Sequence, residues 1–354
     1  MKITLLKSHM TASGGLEKVT SGLVQAFNRK GLAVTLLTTE GRSTESALLR
    51  VINLGYRSKF SLKHHQYFDA ACQIWLQQNP QDIVFGLERN SFQTHYRAGS
   101  GVHAAYLRHR AQHQPEWQTL SNVLNPFHRF LLKLEKKAFT SPQLKRIFTN
   151  SLMVKQELQE FYDVEENKLM VVPNGVDWHS LESVFIANKP VTPFTFLFIG
   201  NDYRRKGLPF ILKALPLLSS YDFRILVVGK DRHPQHFTSS PHVHFLGPVK
   251  DLIPLYQQAH ALLIPSLYDP FANVTVEALA MGLFVVSSRF NGGHEILTPH
   301  MGTVIEQLDD PESVAASMRL ALACTHDPLS LRKSVQGLDF SQQLDKIVHT
   351  TLHD

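Results

Sequence analysis

Short, continuous apolar runs alternate with longer helical stretches along almost the whole sequence. The first series of runs occupies residues 2–6, 34–38, 82–86, 147–150 and 170–172. Because these runs are continuously apolar, they predict strands that are buried on both faces of a parallel sheet. Parallel neighbours need a crossover connection, which the helical stretches supply. The chain is therefore restricted to folds of the α/β class.

The first crossover can be followed residue by residue. Leu16, Val19, Leu23 and Phe27 recur at spacings of three and four, which gives one apolar helix face. Gly31 supplies the left-handed backbone position that ends such a helix. The first two runs and this helix therefore predict a βαβ unit.

A second series of runs follows a proline-rich break at 189–193. Its strands are predicted at 194–199, 223–228, 242–246, 261–264, 284–287 and 303–305. We therefore expect an α/β fold of two doubly wound, Rossmann-like domains that face each other across a cleft, at 1–188 and 189–340. A last helix at 341–354 is expected to return to the first domain. Ligands in such sheets bind outside the carboxyl ends of the strands.

The composition limits which cellular compartment and which class of binding partner are expected. The net charge of +6 over 354 residues favours an acidic partner such as nucleic acid, an anionic membrane or a phosphorylated substrate. Cys72 and Cys324 are too far apart for a CxxC site and fit a reducing cytosol. No apolar run approaches the roughly 18 residues of a membrane span, and no signal peptide is recognised. We expect a cytoplasmic protein.

Two loops at predicted strand ends carry candidate chemistry. Gly14 and Gly15 open the first helix, where N–H groups could bind a phosphate, or where the pair could form only a tight turn. Arg205 and Lys206 follow the strand at 194–199 and could stabilise charge on a diphosphate leaving group. They could also be a solvated basic turn.

The most informative stretch lies between the strands at 261–264 and 284–287. Asp269 and Glu277 stand eight positions apart, the first in a loop and the second early in a helix. A diphosphate held by the N–H groups of residues 273–275 would lie between them, with Glu277 on ribose and Asp269 facing a sugar. Alternatively, Glu277 complements the helix dipole and Asp269 caps a turn.

Six motifs occur in an order that is typical of one enzyme family. They are Gly14-Gly15, Pro173-Asn174-Gly175, Gly200 with Arg205-Lys206-Gly207, Phe245-Leu246-Gly247, Asp269 with Glu277, and Gly292-Gly293-His294-Glu295. In these motifs the chain resembles retaining glycosyltransferases of the GT-B fold, in the large family four. The stretches from Arg97 to His103 and from Asn201 to Gly207 are most similar to those of lipopolysaccharide-core glucosyltransferases, which add glucose to inner-core heptose.

The resemblance implies a role for each matching residue. Arg205 and Lys206 would pair with the donor diphosphate, and Glu277 would hold the ribose. The phosphate groups would contact the N-terminus of the helix that contains Glu277. The Gly-Gly loop would contact the donor from the opposite domain. Uracil would contact the loop after the strand at 242–246. The other donor-binding residues implied are Gly14, Gly15, Pro248, Val249, Ala272, Asn273, Val274 and Thr275.

Two implied catalytic positions depart from the family pattern. Asp269 replaces the first glutamate of a paired-Glu motif and is one methylene shorter. Ser100 stands where close relatives carry Asp, so either the donor phosphate acts as the base or His103 compensates. We favour the donor phosphate, because attack on the face that it leaves places its oxygen beside the incoming hydroxyl.

Metal and cofactor chemistry is not expected. No Asp-x-Asp triplet occurs, so the divalent-metal clamp of the other large glycosyltransferase fold is not available. None of the 19 histidines has HExxH or another tight metal spacing. The resemblance therefore implies metal-independent catalysis in which the nucleotide sugar is a substrate rather than a cofactor.

Residues 101–150 combine eight Lys and Arg with only two acidic residues. A helix here could lie on an anionic membrane, or it could be an ordinary core-facing helix with a basic solvent face. Nucleic-acid binding is not favoured, because no recognised module accompanies the charge. The apolar residues that interleave with the charges are Phe127, Phe130, Leu131, Leu134 and Phe139.

The resemblance and the residues together predict a cytoplasmic, peripheral-membrane glycosyltransferase. It would move a hexose, glucose first, from UDP to a lipid-linked saccharide such as lipopolysaccharide core. One alternative is the same fold with GDP-mannose or another donor, acting on capsule or on phosphatidylinositol glycan. Another alternative, of a different class, is a catalytically silent subunit that binds a nucleotide sugar.

Overall fold

The computed structural model describes residues 1–9, 14–55, 58, 60–188, 193–232, 234, 237, 240–323 and 327–354. These residues form two compact units. Unit 1 is Met1–Val172 with Ser341–Asp354, and unit 2 is Pro173–Phe340. The sequence places 173–188 in the first domain, whereas the structure groups these residues with unit 2. The greater part of the predicted proline-rich break, 189–192, lies outside the described residues.

Unit 1 is built on one sheet with the strand order β3-β4-β2-β1-β5-β6-β7-β8. All neighbours are parallel except β3 and β4. Its strands are β1 (Ile3–Leu6), β2 (Val34–Thr38), β3 (Thr44–Glu45), β4 (Leu49–Asn53), β5 (Ile83–Gly86), β6 (His95–Arg97), β7 (Arg146–Thr149) and β8 (Leu169–Val171). Its helices up to β8 are α1 (Gly15–Arg29), α2 (Ser61–Gln78), α3 (His103–Gln112), α4 (Glu116–Leu124), α5 (Pro126–Phe139) and α6 (Leu152–Tyr162).

The first βαβ unit is confirmed. The apolar face of α1 buries Val19, Leu23 and Phe27, and the chain leaves the helix through Gly31 at a φ of 73°. β1 pairs with β2 in parallel register, as the crossover requires.

Unit 2 has a wholly parallel sheet with the order β11-β10-β9-β12-β13-β14. Side chains that alternate along β9 supply two cores, with Phe196 and Phe198 on one face and Leu197 on the other. The strands are β9 (Phe194–Ile199), β10 (Phe223–Val228), β11 (Val243–Gly247), β12 (Ala261–Ile264), β13 (Phe284–Ser288) and β14 (Gly302–Ile305). The helices are α7 (Leu208–Ala214), α8 (Ile253–Gln258), α9 (Asn273–Ala280), α10 (Pro311–Ala323) and α11 (Pro328–Ser334).

The last helix, α12 (Phe340–His353), packs almost entirely within unit 1. It buries Leu344, Ile347 and Val348. The residue after it, Asp354, forms an ion pair with Arg146 at the start of β7. Among the described residues, no helix has both the length and the apolarity that crossing a membrane requires.

Each sheet has one point at which the strand order reverses its direction. In unit 2 this point lies between β9 and β12, and in unit 1 it lies between β1 and β5. In doubly wound sheets the loops at the carboxyl ends of these two strands leave a crevice in which ligands bind. A ligand is therefore expected at the loops after β9 and β12 in unit 2 and at the loops after β1 and β5 in unit 1.

Candidate active site

Three predicted catalytic residues meet at the reversal point of unit 2. Lys206 follows β9 and Asp269 follows β12, and the Lys206 ammonium group forms an ion pair with the Asp269 carboxylate. Arg205 Nη1 lies 3.8 Å from Oδ2 of the same carboxylate. Asp269 is buried, so the structure joins two cations and one shielded carboxylate where a ligand would bind.

Backbone contacts fasten the loop after β9 to the loop after β12. Gly207 has a φ of 87°, and a Cβ atom there would lie 1.8 Å from the carbonyl oxygen of Pro265. Only glycine allows this approach, because the conflict is with backbone rather than with a movable side chain. The amide of Leu267 donates to the Arg205 carbonyl at 2.8 Å. The positions of the two cations are therefore set by the backbone.

The predicted phosphate-binding backbone is the start of α9. The helix begins at Asn273, and the preceding Ala272 offers no side-chain cap to the first N–H groups. The Thr275 side chain is completely buried, and its hydroxyl has no hydrogen-bond partner in the described part of the chain. An uncapped helix start with a spare buried hydroxyl suits an anion that supplies the missing acceptors.

Asn291 holds this helix start in place, and sequence reasoning missed it. Its Oδ1 accepts from the amides of Ala272 at 3.0 Å and Gly293 at 3.1 Å, and its Nδ2 donates to Ser287 Oγ at 2.9 Å. The side chain is fully buried. The available signal was an amide shortly after a strand and immediately before the motif that starts at Gly292 and Gly293.

The loop that carries Asp269 shares this support. The Asp269 amide donates to the Phe290 carbonyl, and the Gly292 amide donates to the Asp269 carbonyl, each at 2.9 Å. Asp269 and Asn291 thereby form an isolated parallel bridge. The ion-paired carboxylate and the start of α9 are thus held by one turn after β13.

Asn174 is a second residue that holds the start of α9. It belongs to one of the six motifs but was not predicted to be a site residue. Its Nδ2 donates to the Phe271 carbonyl at 3.1 Å and to Asn273 Oδ1 at 2.6 Å. The segment that follows β8 in sequence therefore fixes the residues on both sides of Ala272. The motif Pro173-Asn174-Gly175 contains no titratable group, so the sequence offered no chemical reason to select Asn174 as a site residue.

Glu277 lies in the second turn of α9. Tyr256 in α8 donates its hydroxyl to Glu277 Oε2 at 2.9 Å. Burial raises the pKa of Tyr256 well above its ordinary value, and the neighbouring Glu277 carboxylate adds to the shift. Because Glu277 is beyond the first turn, compensation of the helix dipole does not account for its position. A carboxylate can accept from several donors at once, which is the property that ribose binding needs.

Pro248 and Val249 lie farther from this cluster. They follow β11, an edge strand that is two positions from β9 in the sheet. Pro248 is exposed, and Val249 packs against the core on the α8 side of the sheet. Their predicted contact with uracil stays a prediction.

Gly14 and Gly15 lie at the start of α1 in unit 1. Gly14 is the N-cap, with an extended φ of −159°, and it makes no side-chain cap. Its carbonyl accepts from the Lys18 amide at 3.2 Å, so the first turn is formed. Both glycines are exposed. The preceding residues 10–13 of the loop lie outside the described residues.

Ser100 and His103 have very different surroundings. Ser100 is exposed in a turn, whereas His103 is a buried residue at the start of α3. His103 Nε2 lies 3.0 Å from Nδ1 of His128 in α5. Burial lowers the pKa of His103 to about 3, with smaller contributions from Arg89 and His128. The imidazole is therefore neutral at physiological pH.

A buried carboxylate that sequence reasoning missed fixes His103. Glu135 Oε1 accepts from the His103 amide at 2.7 Å and from Arg89 Nε at 2.6 Å. Its Oε2 accepts from the Tyr162 hydroxyl at 2.7 Å. Glu135 lies in the lysine-rich α5, where one acid among cations resembles an ordinary surface residue. Only the tertiary structure shows that it is buried.

The apolar face of the basic helix α5 packs against the core of unit 1. Leu131, Leu134 and Phe139 of α5 are buried, and Phe127 and Phe130 are partly buried. The basic residues Lys133, Lys136 and Lys137 face solvent. Of the two interpretations left open by the sequence, the core-facing one therefore describes the apolar stripe of α5, while contact of its basic face with a membrane stays a prediction.

The exposed apolar face belongs to the neighbouring helix instead. No residue of α4 is buried. Its large apolar side chains keep well over half of their surface exposed. They are Trp117, Leu120, Val123 and Leu124.

Metal ligands and cysteines add no further centre. Within the described ranges, no group of three or more His, Cys, Asp or Glu residues has the arrangement of a metal site. Cys72 is a buried free thiol whose pKa is raised by burial. Cys324 lies outside the described residues.

Comparison with known sequences identifies both units. Residues 13–179 match the family described as Glycosyltransferase Family 4, and residues 193–323 match the family described as Glycosyl transferases group 1. The chain is a GT-B glycosyltransferase. The first match ends at residue 179 and the second begins at residue 193, both near the boundary at residues 172 and 173. Each unit of this glycosyltransferase therefore corresponds to one of the two domain families.

Relatives that span most of the chain are distant. Lipopolysaccharide glucosyltransferase WaaG of Escherichia coli (strain K12) is 22% identical over 339 residues, covering 90% of this chain and 88% of that protein. The uncharacterized glycosyltransferase MJ1607 of Methanocaldococcus jannaschii is 22% identical over 329 residues, covering 85% and 83%. O-antigen chain mannosyltransferase RfbU of Salmonella typhimurium is 27% identical over 215 residues, covering 58% of each chain.

Solved structures confirm the predicted fold class. The crystal structure of WaaG, a glycosyltransferase involved in lipopolysaccharide biosynthesis, has a TM-score of 0.78 at 19% identity and covers 99% of this chain and 100% of that chain. Anabaena HepE in complex with UDP-glucose has a TM-score of 0.68 at 14% identity, covering 100% and 99%. At these identities the likeness establishes the GT-B fold alone.

Proposed function

We propose that this glycosyltransferase moves glucose from UDP-glucose to a lipid-linked saccharide such as lipopolysaccharide core, with retention of configuration and without a metal. The observation that carries the proposal is the Lys206–Asp269 ion pair held by the same turn as the uncapped start of α9. Such a site provides cations, N–H groups and one carboxylate for a sugar diphosphate. The glucosyltransferase relative and the UDP-glucose complex of a protein with the same fold support the choice of donor.

Donor binding would exchange the partners of Lys206. A diphosphate brings two or more negative charges, so it competes with Asp269 for the ammonium group. Asp269 would then be released to accept hydrogen bonds from sugar hydroxyls. Arg205 would stay near both groups and stabilise the leaving diphosphate as its charge grows. In the absence of donor, the partly buried Lys206 ammonium group thus balances the charge of the buried Asp269 carboxylate.

The transfer step needs no protein nucleophile in this proposal. The acceptor oxygen forms a bond to the anomeric carbon while the bond from that carbon to the diphosphate oxygen breaks. The hydroxyl proton passes to the departing phosphate oxygen on the same face. Ser100 is an exposed hydroxyl and a weak base, and His103 is a neutral, fixed imidazole that can hydrogen-bond the sugar.

One alternative has an observation in its favour. RfbU, named as a mannosyltransferase, and a phosphatidyl-myo-inositol mannosyltransferase that is 32% identical over 162 residues both match part of the chain. A GDP-mannose donor would use the same diphosphate-binding residues. The base would then be guanine, which the loop after β11 would have to accommodate.

A parallel transfer assay separates these functions. Purified protein is incubated with a core lipid truncated at inner-core heptose and with UDP-[14C]glucose or GDP-[14C]mannose, and label in the lipid is counted. We expect label from UDP-glucose, and loss of it in Lys206→Ala. Label from GDP-mannose alone overturns the donor assignment. UDP binding without product from either donor indicates a silent nucleotide-sugar-binding subunit.

We also propose that α4 is the part of the molecule that contacts an anionic membrane. Trp117, Leu120 and Leu124 share one helix face at spacings of three and four and are 70%, 61% and 63% exposed. The lysines of α5, the next helix along the chain, are exposed and supply positive charge in the same unit. Apolar insertion combined with attraction to anionic lipid is the usual mechanism of interfacial helices.

Sedimentation with vesicles of phosphatidylglycerol and phosphatidylethanolamine tests the membrane proposal. We expect Trp117→Ser with Leu120→Ser to abolish vesicle binding at any salt concentration. Neutralising Lys133, Lys136 and Lys137 should weaken binding mainly at low salt, because surface attraction is screened within about 8 Å at physiological ionic strength. Leu217→Ser, an exposed leucine of unit 2, is the control. Full binding by the double variant refutes the assignment.

A further inference from the structure

The reversal point of unit 1 carries a cluster that the donor site does not use. Ser8 and His9 follow β1, and Glu88 follows β5. Ser8 Oγ lies 2.5 Å from Glu88 Oε2 and 2.7 Å from His9 Nδ1. A carboxylate, a hydroxyl and an imidazole are therefore in series at the place in the sheet where a ligand is expected.

Glu88 is held as a carboxylate. Lys7 donates to its Oε1 at 2.5 Å, and both the amide and the hydroxyl of Ser8 reach its Oε2. Burial alone would raise the pKa of Glu88, but the charge of Lys7 and these hydrogen bonds lower it overall. An ionised carboxylate can only accept hydrogen bonds. The single hydroxyl proton of Ser8 therefore goes to Glu88.

The backbone fixes Ser8 on its other side. Its carbonyl accepts from Thr38 Oγ1 and from Thr39 Oγ1, each at 2.9 Å. The Thr39 amide donates to the same carbonyl at 3.0 Å. With its amide on Glu88 and its carbonyl on the end of β2, Ser8 has little freedom to turn its hydroxyl elsewhere.

The position of the Ser8 proton determines the tautomer of His9. Because Ser8 Oγ donates to Glu88, it can only accept from His9 Nδ1, which must carry a hydrogen. A neutral imidazole protonated at Nδ1 has a lone pair at Nε2. In its neutral form His9 therefore offers an acceptor, and not a donor, at Nε2.

His64 of α2 fixes the ring from the side. The centroids of the two rings are 4.4 Å apart. Burial lowers the pKa of His64, with further lowering by His9 and His65, so His64 is a neutral neighbour rather than a repelling charge. The ring of His9 is thus constrained by a hydrogen bond at Nδ1 and by a contact with an uncharged ring.

We propose that His9 Nε2 accepts a hydrogen bond from a hydroxyl of the saccharide acceptor, with Glu88 and Ser8 as the residues that fix its tautomer. The inference rests on the proposed glycosyl transfer and names part of its acceptor site. A neutral hydroxyl is favoured over a phosphate, because Glu88 and Glu17 take up the charge of Lys7, whose Nζ is 3.4 Å from Glu17. His9 is assigned as a binding residue and not as the base.

The tautomer is tested without any acceptor. Long-range 1H–15N spectra of protein with labelled histidine distinguish the two tautomers, and the His9→Phe variant identifies the signals of His9. We expect hydrogen on Nδ1 in the wild type and transfer of the population to Nε2 in Ser8→Ala, which removes the constraint. A wild-type His9 that carries hydrogen on Nε2 overturns the inference.

The acceptor contact is tested by steady-state kinetics with UDP-glucose and the heptose-terminated core lipid. His9→Phe keeps a ring against His64 but loses the acceptor atom, so the KM for lipid should rise about 3- to 10-fold, the effect of one neutral hydrogen bond. The KM for UDP-glucose should change less than about twofold. His9→Gln, whose amide oxygen can replace Nε2, should recover most of the loss.

The two tests separate this inference from the proposed function. Transfer by the wild type with an unchanged lipid KM in His9→Phe overturns the role of His9 and leaves the transferase intact. No transfer by the wild type to the lipid overturns the proposed acceptor and with it the role of His9, while the NMR result still decides the tautomer. A rise in the KM for UDP-glucose instead of lipid places His9 on the donor and also overturns the inference.

Discussion

The pair of Glu277 and Tyr256 allows a sharp test of donor binding. Glu277→Gln keeps the size of the side chain and can still accept from the Tyr256 hydroxyl, which lies 2.9 Å from Oε2. The substitution removes the charge, so hydrogen bonds from two ribose hydroxyls become neutral ones. Hydrogen bonds to charged groups contribute about 1.5–3 kcal/mol and neutral ones about 0.5–1.5 kcal/mol. The difference over two bonds is about 2–3 kcal/mol.

This difference corresponds to a rise of roughly 30- to 150-fold in the Kd for UDP. Isothermal calorimetry with UDP measures it directly, since no acceptor is needed. Tyr256→Phe removes one hydrogen-bond donor to the carboxylate but leaves its charge. We expect that variant to lose about 1.5–3 kcal/mol of stability while its UDP affinity falls less than about fivefold.

A tyrosine–glutamate pair in the other unit provides the matched control. Tyr162 donates to buried Glu135 at 2.7 Å, so Tyr162→Phe should cost a similar amount of stability without affecting UDP. A Kd for UDP in Glu277→Gln within threefold of the wild type would refute the reasoning. Glu277 would then be only the structural partner of Tyr256.

Other expectations concern catalysis and pH. Arg205→Ala and Lys206→Ala should each lower kcat by about 10²–10³-fold, as for loss of one preorganised donor, and a near-normal rate in the double variant contradicts the assignment. Ser100→Ala should lower kcat less than about tenfold, because an exposed hydroxyl is not the base; a loss as large as that of Lys206→Ala, with UDP bound, contradicts this. Buried His95 and His103 have pKa values of about 4 and about 3 when folded, so the unfolded chain binds more protons below pH 6.5. The free energy of unfolding of unit 1 in urea should therefore decrease from pH 6.5 towards pH 4, and a constant value over this range contradicts the expectation.

The strands of both sheets could be predicted where the sequence signal was physical and local. β2, β9, β10 and β12 have their predicted bounds, because an uninterrupted apolar run is what burial on two faces requires. The strands that were missed lack this signal. β3 has two exposed residues, and β4 is only partly buried. β6 is buried, but its residues His95, Tyr96 and Arg97 do not form an apolar run.

Some residues of the candidate site could likewise be predicted from the sequence, and others could not. Arg205, Lys206 and Asp269 were predicted and meet in the structure, because charged residues after parallel strands converge at one sheet edge. Asn291 and Glu135 were not predicted. Their importance comes from burial and from which backbone amides they meet, and neither property is encoded in a local spacing.

The sequence left the partner of α5 open for a related reason. Amphipathic spacing in α5 is the same whether its apolar stripe faces lipid or the core of its own unit. Only packing shows that α5 is covered while α4, with Trp117 and Leu120, is not. Alternation of apolar and basic residues therefore predicted the helix but could not choose between lipid and core as the partner of its apolar face.

The anomeric configuration of the product tests the central proposal most directly. Wild-type protein is supplied with UDP-glucose, in which glucose is an α-anomer, and with heptose-terminated core oligosaccharide in excess EDTA, and the new anomeric proton is followed by NMR. We predict an α-linked glucose at an undiminished rate, because Arg205, Lys206 and the start of α9 carry the charge of the leaving diphosphate. A β-linked product, or transfer that requires an added divalent metal, would contradict the account.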